Sequence, residues 1–310
     1  MSFELVLPFL RPIAHLITDA DVSEIMVNGS RGIFVERGGI VEPVPGVTLD
    51  ERNLRVAVKN IARAVGDDIS DEHPILDARL PDGSRVAAVF PPCSLGGTTL
   101  TIRKFQKRFF TAAELLKAGT LTDEMLVQIQ NAVARSHTIL ISGGTSTGKT
   151  TLLNAVSTLL PESDRIVVIE DTAELHLAHA NLVRFEARRA LRDLPGVSIR
   201  DLLKAALRHR PDRIILGEVR GGEAYDLLEA LNTGHAGSLS TIHANSAEQA
   251  LNRFASCVVQ SGVDVPYEVI RQQIAACVQL VVHLERSAGH RRVTEVLDVR
   301  PPTIHVGQVR

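Results

Sequence analysis

Gly143-Gly144-Thr145-Ser146-Thr147-Gly148-Lys149-Thr150 is the stretch that decides how this chain folds. It fits G-x-x-x-x-G-K-[ST] at every fixed position and follows directly on the apolar run Thr138-Ile139-Leu140-Ile141-Ser142. Glycines let backbone amides curl around phosphate oxygens, and a helix starting behind them points its positive end at the same oxygens. In such a loop Lys149 reaches the β- and γ-phosphates and the Thr150 hydroxyl ligates Mg²⁺. Leu152, Leu153, Val156, Leu159 and Leu160 supply the apolar face of that helix. A strand–loop–helix unit with ATP and Mg²⁺ as its ligands is therefore expected.

Outward from this unit, short apolar runs alternate with helical spacing. Arg165 to Glu170, Arg213 to Leu216 and Ser238 to Ile242 read as strands. Unbroken runs such as Ile166-Val167-Val168-Ile169 suit strands buried on both faces, so an α/β fold with a mostly parallel sheet covered by helices is expected. Val278 to Glu285 and Arg292 to Val299, around Ser287-Ala288-Gly289-His290, read as a closing hairpin.

A phosphate loop needs a distal acid. Arg213-Ile214-Ile215-Leu216-Gly217-Glu218 is an apolar strand ending in a carboxylate, and a parallel sheet delivers strand ends to the edge where ligands bind. Ile169-Glu170-Asp171-Thr172-Ala173-Glu174-Leu175 is a second acidic strand end. Carboxylates so crowded behind a buried strand are costly unless solvated or working around a metal. Two tasks in ATP hydrolysis, holding Mg²⁺ and orienting the attacking water, match two acidic elements.

The first hundred residues read as a smaller α+β unit. Glu24 to Asn28 and Gly32 to Glu36 form a hairpin closed by turn residues. Thr48-x-x-Glu51 reads as a capping box ahead of Leu54, Val58, Ile61 and Val65, with Gly66 as the stop. Two strands flank Pro81-Asp82-Gly83-Ser84, and Thr98 to Lys104 forms another. There Leu100 and Ile102 share one face while Thr99, Thr101 and Arg103 share the other. Val6, Leu10, Ile13 and Ile17 stand at helical spacing and are assigned to packing of this unit, since the segment lacks the cations of an interfacial helix. The pattern breaks around 104–111, which sets the expected domains at 1–106 and 107–310. Thr111-x-x-Glu114 is a further capping box, and Thr122, with Leu121 and Leu126 as a staple, starts the next helix. The segment carrying Arg184, Arg188, Arg189, Arg192 and Arg200 reads as a solvated helix face, with a patch for a ring pore or acidic partner as the alternative.

Composition excludes several classes. Lys plus Arg number 34 against 36 Asp plus Glu, and aromatics are 4% with no Trp, so direct nucleic-acid binding is not expected. The apolar stretches fall far short of the ~20 residues that cross a bilayer. Cys93, Cys257 and Cys277 are too scattered for a zinc ribbon or a disulfide framework. A soluble protein of a reducing compartment is expected.

Thr233-Gly234-His235-Ala236-Gly237-Ser238-Leu239-Ser240-Thr241-Ile242-His243-Ala244-Asn245 resembles the His box of the type II/type IV secretion traffic ATPases. Ile169 to Leu175 resembles their Asp box, and Gly217-Glu218-Val219-Arg220 their Walker B element, in the family's order. The N-terminal hairpin is most similar to the conjugal-transfer branch of TrbB type. The paired-cysteine zinc motif of the type II branch is absent. The resemblance implies a RecA-like phosphate-loop domain behind the smaller α+β domain. It also implies a homo-hexameric ring, peripheral to the inner membrane on its cytoplasmic side and partnered by inner-membrane secretion components. By motif, Gly143 to Thr151 would hold phosphates and Glu218 would act near Mg²⁺ and the water. Glu174 would be the catalytic Asp-box carboxylate, supported by Glu170 and Asp171 near the metal. His243 and His235 would sense the γ-phosphate, and Arg85 and Arg103 would present cations to the nucleotide. Three alternatives stay open on sequence: a pilus-assembly ATPase, a RecA-like nucleic-acid motor, and a nucleotide-gated assembly factor with negligible turnover.

Overall fold

The computed structural model describes residues 7–105, 109–190, 194–287 and 289–299. The chain divides into two compact units, Met1–Arg108 with Ala190–Pro195, and Phe109–Arg189 with Gly196–Arg310.

In the first unit a short helix α1 (Ala14–Thr18) leads into β1 (Val22–Asn28), β2 (Ile33–Arg37) and β3 (Ile40–Pro43). Helix α2 (Glu51–Ala64) follows, then β4 (Ile75–Arg79), β5 (Arg85–Val89) and β6 (Thr99–Arg103). The six strands pair antiparallel in the order β3-β2-β1-β6-β5-β4. Period-2 alternation sends Ile25, Val27, Val86, Ala88, Leu100 and Ile102 into one core with Leu54, Val58 and Ile61 of α2. Leu10, Ile13 and Ile17 join that core, as their spacing implies; Val6 lies outside the described residues. The cap of α2 departs from the sequence reading. Asp50 is the N-cap, accepting from the Asn53 amide at 3.0 Å, so Thr48 is not the cap. Glu51 turns instead to Thr98, accepting from its amide at 3.0 Å and its hydroxyl at 2.5 Å. A charge-assisted bond to a distant buried threonine outcompetes the local box.

The second unit opens with α3 (Ala112–Lys117), whose Thr111/Glu114 capping box forms reciprocally, and α4 (Asp123–Ala134), capped by Thr122. Then come β7 (Ile139–Gly143), α5 (Lys149–Ser157), β8 (Ile166–Glu170), β9 (Leu182–Glu186) and α6 (Ile199–Ala206). The rest is β10 (Arg213–Val219), α7 (Glu223–Asn232), β11 (Leu239–Ile242), α8 (Ala247–Val259), α9 (Tyr267–Cys277), β12 (Leu280–Ser287) and β13 (His290–Asp298). Seven strands lie in the order β13-β12-β7-β11-β10-β8-β9, all parallel except for the β12–β13 hairpin. Alternate residues face opposite sides, and both sides are covered. Leu140, Val167, Ile214 and Ile242 pack with α6, α7, α8 and α9, while Ile139, Ile141, Val168 and Ile215 pack with α3, α4 and α5. That double burial is why these strands carry no polar alternation.

The arginine-rich segment is not a helix face. Arg184 sits on the edge strand β9, and α6 begins only at Ile199. Arg184 donates to Leu175 O at 2.7 Å and lies 3.4 Å from Glu170 Oε2, and Arg200 pairs with Asp226 at 2.6 Å. Arg184 and Arg200 thus each meet a carboxylate from another element rather than sharing one solvated helix face. Arg192 lies outside the described residues. No helix among the described residues is long and apolar enough to cross a membrane.

Candidate nucleotide site

Strand β7 is buried along its whole length and ends in Gly143. There a side chain cannot be accommodated, since a Cβ would lie 2.5 Å from Leu284 O on β12 and 2.6 Å from Thr147 Oγ1. Ser146 takes a left-handed conformation, φ 58°, and Arg291 Nε of β13 donates to its carbonyl at 3.1 Å. Gly148, φ 97°, is the N-cap of α5 and offers no side-chain acceptor to the first helical amides. Orphan amides at a helix start behind a glycine-rich loop suit an anion. Lys149 turns onto that loop. Its ammonium donates to Gly144 O at 2.7 Å and Gly143 O at 3.0 Å, and burial pulls its pKa below the ordinary lysine value. Beneath the loop, His283 Nδ1 of β12 lies 2.9 Å from the Ser142 hydroxyl, both buried.

Four parallel strand ends bring the other residues to the same edge. Register between β10 and β11 slips between Leu216 and Val219, and the Thr241 hydroxyl donates to Gly217 O at 2.6 Å. Glu218 projects from this irregularity. Its Oε2 accepts from Arg220 Nε at 3.0 Å, whereas Oε1, buried, has no hydrogen-bond donor. His243, just beyond β11, stands between Glu218 and Lys149. Its Nε2 lies 2.9 Å from Glu218 Oε1, outside hydrogen-bonding geometry, and its Nδ1 lies 3.4 Å from Lys149 Nζ. An ammonium only donates, so in this contact His243 Nδ1 is the acceptor. Burial and the Lys149 charge hold the His243 pKa below the ordinary value despite Glu218, leaving the ring neutral at pH 7.

The other acidic strand end is built differently. Glu170 is 3% exposed, and its Oε1 accepts from the amides of Glu174 and Leu175, both at 2.8 Å. Burial raises its pKa, while those amides and Arg184 oppose the shift. Gly217 leaves room for it, since a Cβ there would press within 3.2 Å of Glu170 Cγ. Asp171 binds Arg220 at 3.2 Å, so Arg220 joins the two acidic elements. Glu174 is half-buried on the turn that Glu170 holds, and its charge acts on Arg220. Asn154 of α5 accepts from the His176 amide at 2.8 Å, tying this turn to the phosphate-loop helix.

His235 stands apart from this edge, before the start of β11. His235 Nδ1 lies 3.1 Å from Ala230 O, at the end of α7. In the first unit, Glu24, Arg103, Arg85 and Arg79 stand opposite one another across β1, β6, β5 and β4. Arg103 is exposed on the face away from Leu100 and Ile102, and Arg85 lies 3.9 Å from Asp77.

Two depressions flank the loop. An open cleft of about 460 Å³ borders Gly144, Thr145, His243, Asn245, Gln249 and Arg253. A slot of about 230 Å³ at the helix end borders Thr147, Gly148 and the apolar walls Phe110, Leu115, Leu152 and Leu284. Arg220 and Arg253 were not singled out by the sequence reading. Arg220 had a signal, standing inside the Walker-B-like run; Arg253 had none, because only the fold brings α8 beside the loop.

A phosphate loop on a central parallel strand, with a carboxylate at the end of a strand beyond its neighbour, defines a nucleotide-hydrolysing phosphate-loop enzyme. The chain belongs to the type II/IV secretion system protein family, whose sequence model matches residues 9–307. It is 37% identical over 288 residues to the conjugal transfer protein TrbB of Rhizobium radiobacter, covering 91% of this chain and 85% of that protein. It is also 37% identical over 311 residues to the type IV secretion system protein PtlH of Bordetella pertussis, covering 90% of each. Among solved structures it is similar to the VirB11 ATPase of the Brucella suis type IV secretion system, in complex with sulphate, with 33% identity, TM-score 0.51 and 94% of each chain covered. The second unit is accordingly a RecA-like phosphate-loop domain and the first a smaller α+β domain, and the protein is an ATPase of the secretion family.

Proposed function

We propose that the chain is the Mg²⁺-dependent ATPase subunit of a type IV secretion or conjugal-transfer machine. It works as a homo-hexameric ring at the cytoplasmic face of the inner membrane and docks on membrane components of that machine. The observation that carries the catalytic part is the convergence of Lys149, His243 and the donor-free Glu218 oxygen at one sheet edge. An orphaned buried carboxylate oxygen beside a phosphate loop fits a cation or its water shell, and Thr150, on the first turn of α5, fits as the protein's hydroxyl ligand. Mg²⁺, when bound, neutralises β- and γ-phosphate charge. Lys149 then exchanges its two loop carbonyls for phosphate oxygens, while the loop amides from Gly143 to Thr151 cradle the chain. Glu218 and Glu174 orient and deprotonate the attacking water, and Asp171 restrains Arg220 so that Glu218 stays aimed. The neutral His243, standing between Lys149 and Glu218, senses the γ-phosphate. Arg85 and Arg103 are assigned as further cations for the phosphates.

The test is phosphate release by the purified chain with Mg²⁺ and ATP, beside Lys149→Ala. The variant should lose all measurable turnover and most nucleotide binding, because the phosphates lose their nearest cation. Turnover near wild type in the variant overturns the assignment. Light scattering with nucleotide reads the ring, and salt-sensitive stimulation by single-stranded DNA would favour a nucleic-acid motor instead.

A further inference from the structure

We propose that Arg253, on α8, is the cation within the same chain that reads the terminal phosphate, so that the cleft it lines distinguishes a nucleoside triphosphate from a diphosphate. This rests on the nucleotide reading of the phosphate loop. The two depressions give the ligand a polarity. The slot at the helix end of the loop has one apolar side, Phe110, Leu115, Leu152 and Leu284, which suits a base and sugar, and one side bordered by His290, Arg291 and Arg292. The cleft at the strand end is bordered by the loop's Gly144 and Thr145 together with His243, Asn245, Gln249 and Arg253, groups suited to charged oxygens. Lys149 Nζ lies on that side, against Gly144 O and near His243. A phosphate chain running from slot to cleft therefore presents its last phosphate to the cleft.

Three cations act there, and two are accounted for. Lys149 belongs to the loop, and Arg220 is held by Glu218 and Asp171. Arg253 is exposed to the cleft and has no carboxylate within ion-pair distance among the described residues. Its charge is nonetheless felt at the site, where it helps keep His243 neutral. The helix that carries it is firmly placed. Ser246 caps α8, the Ala247 amide donates to Glu295 Oε2 of β13 at 3.0 Å, and Ala250, Phe254 and Cys257 are buried. Gln249 lies one turn before Arg253 on the same face, so amide and guanidinium line one wall together. A planar fork of donors with nothing anionic to bind, set beside a phosphate cradle, matches the two free oxygens of a terminal phosphate.

The experiment is equilibrium binding of a non-hydrolysable ATP analogue, the β,γ-imido compound, and of ADP, to wild type, Arg253→Ala, Arg253→Lys and Lys149→Ala. Arg253→Ala should bind the imido analogue about ten- to a hundredfold more weakly, the scale of a charged hydrogen bond. Its ADP affinity should stay within about twofold, its melting temperature should match wild type, and Arg253→Lys should recover only part of the loss. Equal weakening for both ligands, or none for either, overturns the proposal. Lys149→Ala separates the two levels: if it alone loses both ligands, the phosphate loop stands and the Arg253 assignment falls; if it binds both normally, the nucleotide reading itself fails.

Discussion

Glu170 and Glu218 end two neighbouring parallel strands, each a buried apolar run closing in a glutamate, yet their surroundings differ. One Glu170 oxygen accepts two backbone amides, and the other faces Arg184. Glu218 has one oxygen held by Arg220 and the other donor-free. A carboxylate whose lone pairs are spent on its own backbone shapes a turn; one with an idle buried oxygen has capacity left for a ligand. Two acids at the same sheet edge thus differ in the hydrogen-bonding capacity they have left, which their position alone does not reveal.

The largest effect that would sharpen this contrast is on rate. Glu218→Gln should bind ATP and melt as wild type while phosphate release falls by ~10² or more, the scale of acid–base and positioning groups. Normal turnover would clear Glu218 of catalysis. Glu174→Gln, on the turn that Glu170 holds, should lose a similar factor with binding retained, and an unchanged rate would leave Glu218 as the sole acid. Arg220→Ala frees Asp171 and Glu218 together and should cost roughly tenfold in kcat with little change in KM, the low end for partners that orient a ligating group. A KM change alone would mean that Arg220 serves binding. Glu170→Ala should show chiefly in stability, about 1–3 kcal/mol by denaturant titration, because two buried amides lose their acceptor.

The smallest effect is a pH signature. A folded-state pKa raised by burial means that the native state binds the Glu170 proton more tightly than the unfolded chain does. This contribution therefore favours folding at low pH and is lost as pH rises from the ordinary glutamate value through the raised one. The stability difference between wild type and Glu170→Gln, which cannot titrate, should move against wild type across that window. A difference flat with pH would mean that Glu170 is not perturbed.

What could be read beforehand was local. The phosphate loop, the strand into Glu218, and the Thr111 and Thr122 caps are each written within about eight consecutive residues, and all of them form as expected. What could not be read depended on partners far along the chain. Thr48/Glu51 and Asp50/Asn53 are overlapping cap signals, and the choice fell to Thr98, which draws Glu51 away. The arginine-rich segment reads as a helix face, but pairing with β8 makes Arg184 part of an edge strand, and its partner Glu170 lies on that neighbouring strand. Glu170 and Glu218 likewise look alike until their donors are known.

The order of strands in the second unit carries a consequence for how the protein is made. Strand β7, which ends in the phosphate loop, lies between β11 and β12, and β13 reaches the Ser146 carbonyl through Arg291. All three follow the loop by roughly a hundred residues or more of sequence. A growing chain that has just delivered Lys149 from the ribosome has neither flanking strand for β7, nor the His283 and Arg291 braces. Translation adds ~5–20 residues per second, so the nascent loop waits several seconds as an unpaired apolar strand before its neighbours arrive. The cradle is therefore assembled only after β13 has emerged, and a chain stopped before β11 lacks both strands that flank β7.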